Sequence, residues 1–505
     1  MISLRGICRI AIRGGLLTAL ALIFFARTAA AHVGSPNVFY EGDAGPYHLF
    51  VAVAVPQVIP GVAQINVRAR DNDVNSISTS VARLSGAGSQ YAPVPDVAKR
   101  SPLDPHQFAA NLWLMEFGSL RVIVKVDGAH GPAELSVPVP SFAQRSLPMP
   151  RWLGALLLAL TIGLAIGAIS IVGAAARDSL LTPGAEVSPE ARRRGRRAMA
   201  FTAVVVGLIF WGAFEWWSVD ASDYAAIAGF FKPPKLEVKL VGTNQLELQP
   251  SPADENWNKA VGFNRLVTDH GHLMHLFLLR TPAFDRILHL HPDLKDGKFV
   301  ESLPSLDAGH YEVFADVVSN NGFPWTLVGS IDLPQITAKP ANPDDSGGSA
   351  APISTASDST IDVLADGTRV TWKRDASLRA NTATIFEFDV RDPNGQPASD
   401  LGLYMGMAAH AEIIKDDLSV FAHIHPSGSV PMASLMMVNA SADSSQPSMD
   451  MPMNMPGMDM SNMSAKVSPE FSIPYGFPKP GRYRIFLQFK RAGQIETASF
   501  TADVH

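Results

Sequence analysis

A run of 25 residues without a charged side chain, Trp152 to Ala176, most limits what this chain can become. About 20 apolar residues in a helix cross the roughly 30 Å hydrocarbon core of a bilayer, and a buried helix of a soluble domain is seldom so uniformly apolar. A second run, Ala198 to Phe214, is shorter at 17 residues but leads into Trp216-Trp217, a pair suited to the lipid–water interface. Arg177, Arg192, Arg193, Arg194, Arg196 and Arg197 lie between the two runs. By the positive-inside rule this basic loop, residues 177–197, faces the cytoplasm, and the chain on either side of it lies outside. The pattern predicts transmembrane helices over 152–176 and 198–217, and hence a two-pass protein of a bacterial inner membrane with lipid as a partner. Gly163-x-x-x-Gly167 offers one place where the helices can approach closely.

The first residues read as a secretory signal peptide over 1–31: Arg5, Arg9 and Arg13, an apolar core from Leu16 to Ala26, then Ala29-Ala30-Ala31. Cleavage there removes Cys8, the single cysteine, so a metal held outside the membrane must rest on His, Met or carboxylate ligands. His32 would become the amino terminus, where its amine and imidazole together suit Cu(II); His48, His106 and His130 are candidate companions. The net charge of -6 is small for 505 residues, and no basic patch interleaved with aromatics is present, which argues against a nucleic-acid partner.

Residues 32–145 alternate short β-rich runs with turn clusters: Tyr47 to Val55, Val62 to Arg70, Ser76 to Leu84, Phe108 to Phe117 and Leu120 to Val126. This spacing predicts an antiparallel sandwich. Leu112-Trp113-Leu114-Met115, then Gly118 and Arg121-Val122-Ile123-Val124, resemble the closing strands of YtkA-like or FixH-like exported domains. Beyond the membrane segments, residues 235–334 and 361–505 read as two further sandwiches, joined by a Pro/Ser/Asp/Gly-rich flexible linker over 335–360. The expected fold is mainly β, with three immunoglobulin-like β-sandwich domains and two transmembrane helices.

The last two segments are tandem copies. Asp269 to Pro292 carries five of the fourteen histidines, and aligning its His-Leu-His-Pro end on His423-Ile424-His425-Pro426 pairs His289 with His423 and His291 with His425. A one-residue shift pairs His275 with His410, and sets His270 and His272 opposite Met405 and Met407. Leu306 to Asp316 likewise matches Pro478 to Gln488, each followed by a last strand. In a strand, residues i and i+2 face the same way about 7 Å apart, so each His-x-His can offer two imidazoles to one ion. The proline after each pair suits a strand end or sheet edge, where a site is open to solvent. Duplicated histidines can also be merely structural; exchange between His and Met at matching offsets favours metal binding.

A third feature selects the metal. Ser448 to Ser464, the core of a methionine-rich insert over 448–464, contains Met449, Met451, Met453, Met455, Met458, Met460 and Met463 among Pro, Gly, Asp and Asn. Thioethers are soft ligands that suit Cu(I) and serve zinc, magnesium or calcium poorly. The tract resembles the methionine-rich loops of exported copper-resistance proteins. Asp417-Leu418, Phe421-Ala422-His423-Ile424-His425-Pro426 and Pro480-Gly481-Arg482-Tyr483 resemble a group of exported bacterial proteins known as heavy-metal-associated or YtkA-like. The first copy departs from that pattern at Ile287 and at Ala308-Gly309-His310.

The expectation is a membrane-anchored extracytoplasmic copper protein for tolerance, storage or delivery, with another envelope copper protein as a partner and zinc as the alternative ion. An envelope interaction scaffold with structural histidines is the first competitor. A copper oxidase or zinc hydrolase is the second: Glu412 and Asp269 adjoin histidines, but no His-Glu-x-x-His motif is present, and catalysis is not expected.

Overall fold

A computed structural model describes residues 37–505 apart from 72, 183, 340, 341, 375, 376 and 443–466. The expected signal peptide, His32 and the methionine tract from Met449 to Met463 lie outside the described residues. The chain is mainly β, with several antiparallel sheets and two long apolar helices.

Period-two burial builds the first pair of sheets. Along Gly61–Ala69, Ala63, Ile65 and Val67 are buried, whereas Val62, Gln64 and Arg68 face out. That strand is central in a five-stranded sheet with Val38–Ala44, Tyr47–Ala54, Gln107–Leu114 and Lys99–Arg100. A four-stranded sheet of Asp96–Val97, Val74–Arg83, Gly118–Gly128 and Ala133–Ser141 closes over it around Leu49, Val51, Ile65, Val122 and Val137.

The two copies share one strand plan. In the first, His275–Thr281 lies between Arg286–Leu290 and Gly309–Ser319, and Pro324–Leu333 follows beside the latter. In the second, His410–Lys415 lies between Phe421–Ile424 and Gly481–Arg491, with Gln494–Val504 beyond. Each is backed by another sheet over its own core, around Leu276, Leu278, Phe299 and Val313 in one and Trp372, Phe388, Ile413 and Ile485 in the other. A buried tyrosine repeats as well: Tyr311 donates its hydroxyl to the Asp307 carbonyl at 2.8 Å, and Tyr483 to that of Lys479 at 2.7 Å.

The outer faces of these two sheets are apolar where they meet. Phe277, Phe284, Ile287, Phe314, Ile414, Phe421 and Phe486 form a separate buried core between the copies, with Phe314 and Phe421 stacked at 4.3 Å. The stretch expected to be a flexible linker contributes to this seam. Its Ser346–Ser349 pairs with Arg286–Leu290 and lies against Thr497 of the other copy, so closely that a Cβ on Gly348 would collide with that threonine. Ile353, from the same stretch, joins the shared core.

The N-terminal sheets clasp the second copy just after His425-Pro426. The Glu41 amide donates to the Ser427 carbonyl at 3.0 Å and the Ser429 amide to that of Phe39 at 2.9 Å; between them Gly428, at φ +110°, leaves no room for a Cβ beside Phe39.

The helices Arg151–Asp178 and Pro189–Phe230 are long and apolar enough to cross a membrane, and the most apolar window of each carries no buried residue. Ser188 caps the second by accepting from the Ala191 amide, with Pro189 at the first helical position. Close approach occurs at Gly173 and Gly195, where added side chains would strike Met199 and Arg177, and not at Gly163 and Gly167, which face open space. Arg194 donates to the Ala176 and Arg177 carbonyls, closing the end of the first helix. At the far end Phe231 stacks on Trp325 and on Phe117.

Candidate metal centre

Each copy brings three histidines together in the same way. The first strand supplies His275 or His410 as its opening residue; the neighbouring strand supplies His289 or His423 near its end, with His291 or His425 just beyond. Candidate ligand atoms of His275, His289 and His291 all lie within 4.8 Å of one another, and so do those of His410, His423 and His425. His275 Nδ1 is 3.0 Å from His289 Nε2, and His410 Nδ1 is 3.2 Å from His423 Nε2. Two imidazole nitrogens bound to one tetrahedral ion at about 2.0–2.1 Å sit at nearly this separation.

Backbone groups fix the tautomers that leave those nitrogens free. His275 Nε2 donates to the Asp269 carbonyl and His410 Nε2 to that of Tyr404, both at 3.1 Å, so Nδ1 of each presents a lone pair to its triad. The two carbonyls belong to matching two-residue turns. Asp269 and His272 exchange both backbone hydrogen bonds around His270 and Gly271, and Tyr404 and Met407 do so around Met405 and Gly406; all four central residues have positive φ.

The triads meet back to back across the seam. His275 and His423 have ring centroids 5.3 Å apart, and His289 and His423 5.4 Å apart. Each copy also reaches into the other. His289 Nδ1 lies 2.8 Å from Gln488 Oε1 and 3.8 Å from Glu412, whereas His423 Nδ1 lies 3.7 Å from Asp316. Register makes this reciprocal: Asp316 pairs with His275, and Gln488 with His410. Sequence reasoning missed Asp316 and Gln488 as parts of the site, although each closes one of the matched segments. Asp345, from the stretch expected to be a linker, lies 3.3 Å from His291 Nδ1.

The site is buried, not open at a sheet edge as the prolines suggested. His289 and His410 are 0% exposed and His275 2%, because the two sheets and Ser346–Ser349 cover what would otherwise be edges. Burial, helped by the other imidazoles, holds His275, His291, His410, His423 and His425 well below the usual imidazole range, and burial lowers His289 to about 3. All six are neutral at physiological pH, the form that ligates metal. Burial moves the carboxyls oppositely, raising Asp316 to about 7 and Glu412 well above its ordinary value. Among the described residues, several polar atoms here have no hydrogen bond of normal geometry: Nε2 of His270, Nε2 of His291, and both oxygens of Glu412. His425, beside the Gly428 backbone, makes none of normal geometry.

The remaining candidates are dispersed. His270 stands beside the second triad and His272 beside His291, at 4.1 Å between rings, while His272 Nε2 faces Asp344 at 3.4 Å. Met405 and Met407 are half-buried in their turn, where the Met405 carbonyl meets His270 Nδ1 at 2.9 Å. His48 pairs with Glu41 and Asp43, and His130 with Asp73, in the N-terminal sheets and outside either triad; His106 Nδ1 is buried without a hydrogen bond among the described residues. A cavity of about 170 Å³ is lined by His275, His423 and His425 together with Phe231 and Trp325.

A family model described as a domain of unknown function (DUF8832) matches residues 362–505. No curated protein matches the chain. Among solved structures, similarity extends to an engineered protein (14% identity, 20% of this chain and 21% of that one, TM-score 0.16). It also extends to the D1–D4 ectodomain fragment of ICAM-5 (6% identity, 91% and 77% covered, TM-score 0.16). A third is Escherichia coli alpha-2-macroglobulin activated by porcine elastase (10% identity, 92% and 31% covered, TM-score 0.17). The chain thus spans 21% of the first of these and 31% of the last.

Proposed function

We propose that this chain is a membrane-anchored, extracytoplasmic metal-binding protein whose cargo is copper, held by the paired triads His275/His289/His291 and His410/His423/His425. The observation that carries this reading is the pair of imidazole nitrogens at 3.0 Å in one copy and 3.2 Å in the other, with tautomers set by backbone carbonyls. Buried nitrogens without partners are costly unless something occupies them, and a cation satisfies several at once. Glu412, fully buried, and Asp316, half-buried beside His423, fit the same role: burial makes each costly to ionise alone, and each balances charge beside a cation.

Copper is favoured over zinc because the insert that follows the helix Met432–Ala442 holds seven methionines, a donor set for Cu(I). The cavity lined by His275, His423 and His425 is the route by which an ion would reach or leave the triads, as cargo for tolerance, storage or delivery requires. We read the three packed pairs of sheets as three immunoglobulin-like sandwich domains, the first YtkA-like, and the arginine loop as cytoplasmic, with the triads in the periplasm of an inner-membrane protein. Another envelope copper protein is the expected exchange partner.

The test is equilibrium dialysis of the full chain in detergent against Cu(II), Cu(I) and Zn(II) separately. At least two Cu(II) per chain are expected, and the double variant His289→Ala/His423→Ala should lose two. Retention of no ion, or unchanged binding in the double variant, overturns the reading.

A further inference from the structure

His270 belongs by sequence to the first copy, but its ring serves the second. Its centroid is 4.8 Å from that of His425 and 5.1 Å from that of His410, against 6.0 Å from His275. Its Nδ1 faces the Met405 carbonyl of the second copy at 2.9 Å; a carbonyl only accepts, so Nδ1 carries the proton. Nε2 is therefore an unprotonated donor, and it is buried without a hydrogen bond among the described residues. The turn holds it there: His270 has φ +50° and is followed by Gly271 at φ +89°. Asp269 anchors the same turn to the second copy, because its carboxylate accepts from the Ala433 amide at 2.7 Å.

Among the described residues, the first triad has no such addition. His272 approaches His291, but its Nε2 faces Asp344 at 3.4 Å, and its side chain is 21% exposed. The Met405 turn, which is the counterpart of the His270 turn, presents a carbonyl to His270 and no imidazole to the first triad.

Resting on the metal-binding reading above, we propose that the two sites are unequal: a four-histidine site of His410, His423, His425 and, from the other copy, His270, beside a three-histidine site of His275, His289 and His291. Four imidazoles close the coordination of a tetrahedral ion and retain it, whereas three leave a position open through which an ion exchanges. One ion then ties the two copies together, and the other is the cargo that moves.

Two measurements on the metal-free full chain in detergent test this. Zn(II) is titrated against a chromophoric chelator, and Cu(II) is added at half an equivalent for electron paramagnetic resonance, which counts coordinated nitrogens. The wild type should show two Zn(II) affinities and a first Cu(II) bound by four nitrogens. His270→Asn, which keeps a residue tolerant of positive φ in the turn, should weaken the tighter Zn(II) by roughly tenfold or more. It should leave the weaker Zn(II) unchanged and reduce the Cu(II) signal to three nitrogens. His272→Ala should alter neither. Two Zn(II) bound with both affinities unchanged in His270→Asn, or weakening confined to the site that His275→Ala abolishes, overturns the unequal pair while leaving metal binding intact. Absence of all Zn(II) and Cu(II) binding in the wild type overturns the metal-binding reading itself, and this proposal with it.

Discussion

Gln488 stands 199 positions from His289, yet its side-chain oxygen takes the hydrogen bond that orients that imidazole. Replacing it with leucine keeps the volume and removes the acceptor. Gln488→Leu should weaken one bound metal equivalent roughly 10- to 100-fold, read by chelator competition, with the other equivalent retained. Glu301 offers a cleaner view of pH. Burial, with Asp345 nearby, raises it to about 8 from 4.5. The unfolded chain ionises there above about 4.5, whereas the folded chain keeps the proton until about 8, so its presence costs stability increasingly as pH rises through that window. Glu301→Gln should therefore stabilise the protein by about 1 kcal/mol or more at pH 8 and by little at pH 4.5, measured as the difference in denaturant midpoint. At this scale the sequence showed the histidines, because a shared offset repeats across two copies. It hid Asp316, Gln488 and the crossing of His270, because those contacts are made by the packing of one sheet on another and leave no local spacing to read.

Among elements, the seam between the copies is the most consequential. Phe421 is 1% exposed and stacks on Phe314 across it. Phe421→Ala should cost about 3–5 kcal/mol, seen in thermal unfolding, and should release bound metal because the two triads lose their common support. The strands themselves were legible from period-two alternation, as in Gly61–Ala69, where Ala63, Ile65 and Val67 face the core. Ser346–Ser349 was not, since its sequence Ser-Gly-Gly-Ser has the composition of a linker. It is a strand because only residues without bulk fit between Arg286–Leu290 and Thr497. The close helix contact was misplaced for a similar reason: several glycines dot the apolar runs, and only the partner helix decides that Gly173 and Gly195 are the ones that touch.

For the whole molecule, the proposed orientation rests on the arginines between the helices. In a Cys8→Ala background, Ser76→Cys should react with a membrane-impermeant maleimide once the outer membrane is permeabilised, and Thr182→Cys only after the inner membrane is opened; labelling in the reverse order would invert the proposed topology. The apolar runs made the two helices plain, but not their lengths. The second helix has 42 residues, about 63 Å at 1.5 Å per residue, roughly twice the hydrocarbon thickness. The residue that caps it, Phe231, is stacked on Trp325 with no slack chain between. On the membrane and metal-exchange readings proposed above the helix is a ruler: it would fix how high above the lipid the histidines stand, an exchange partner would have to present its own ligands at that height, and shortening the helix by a few residues would misalign the pair without touching a single imidazole.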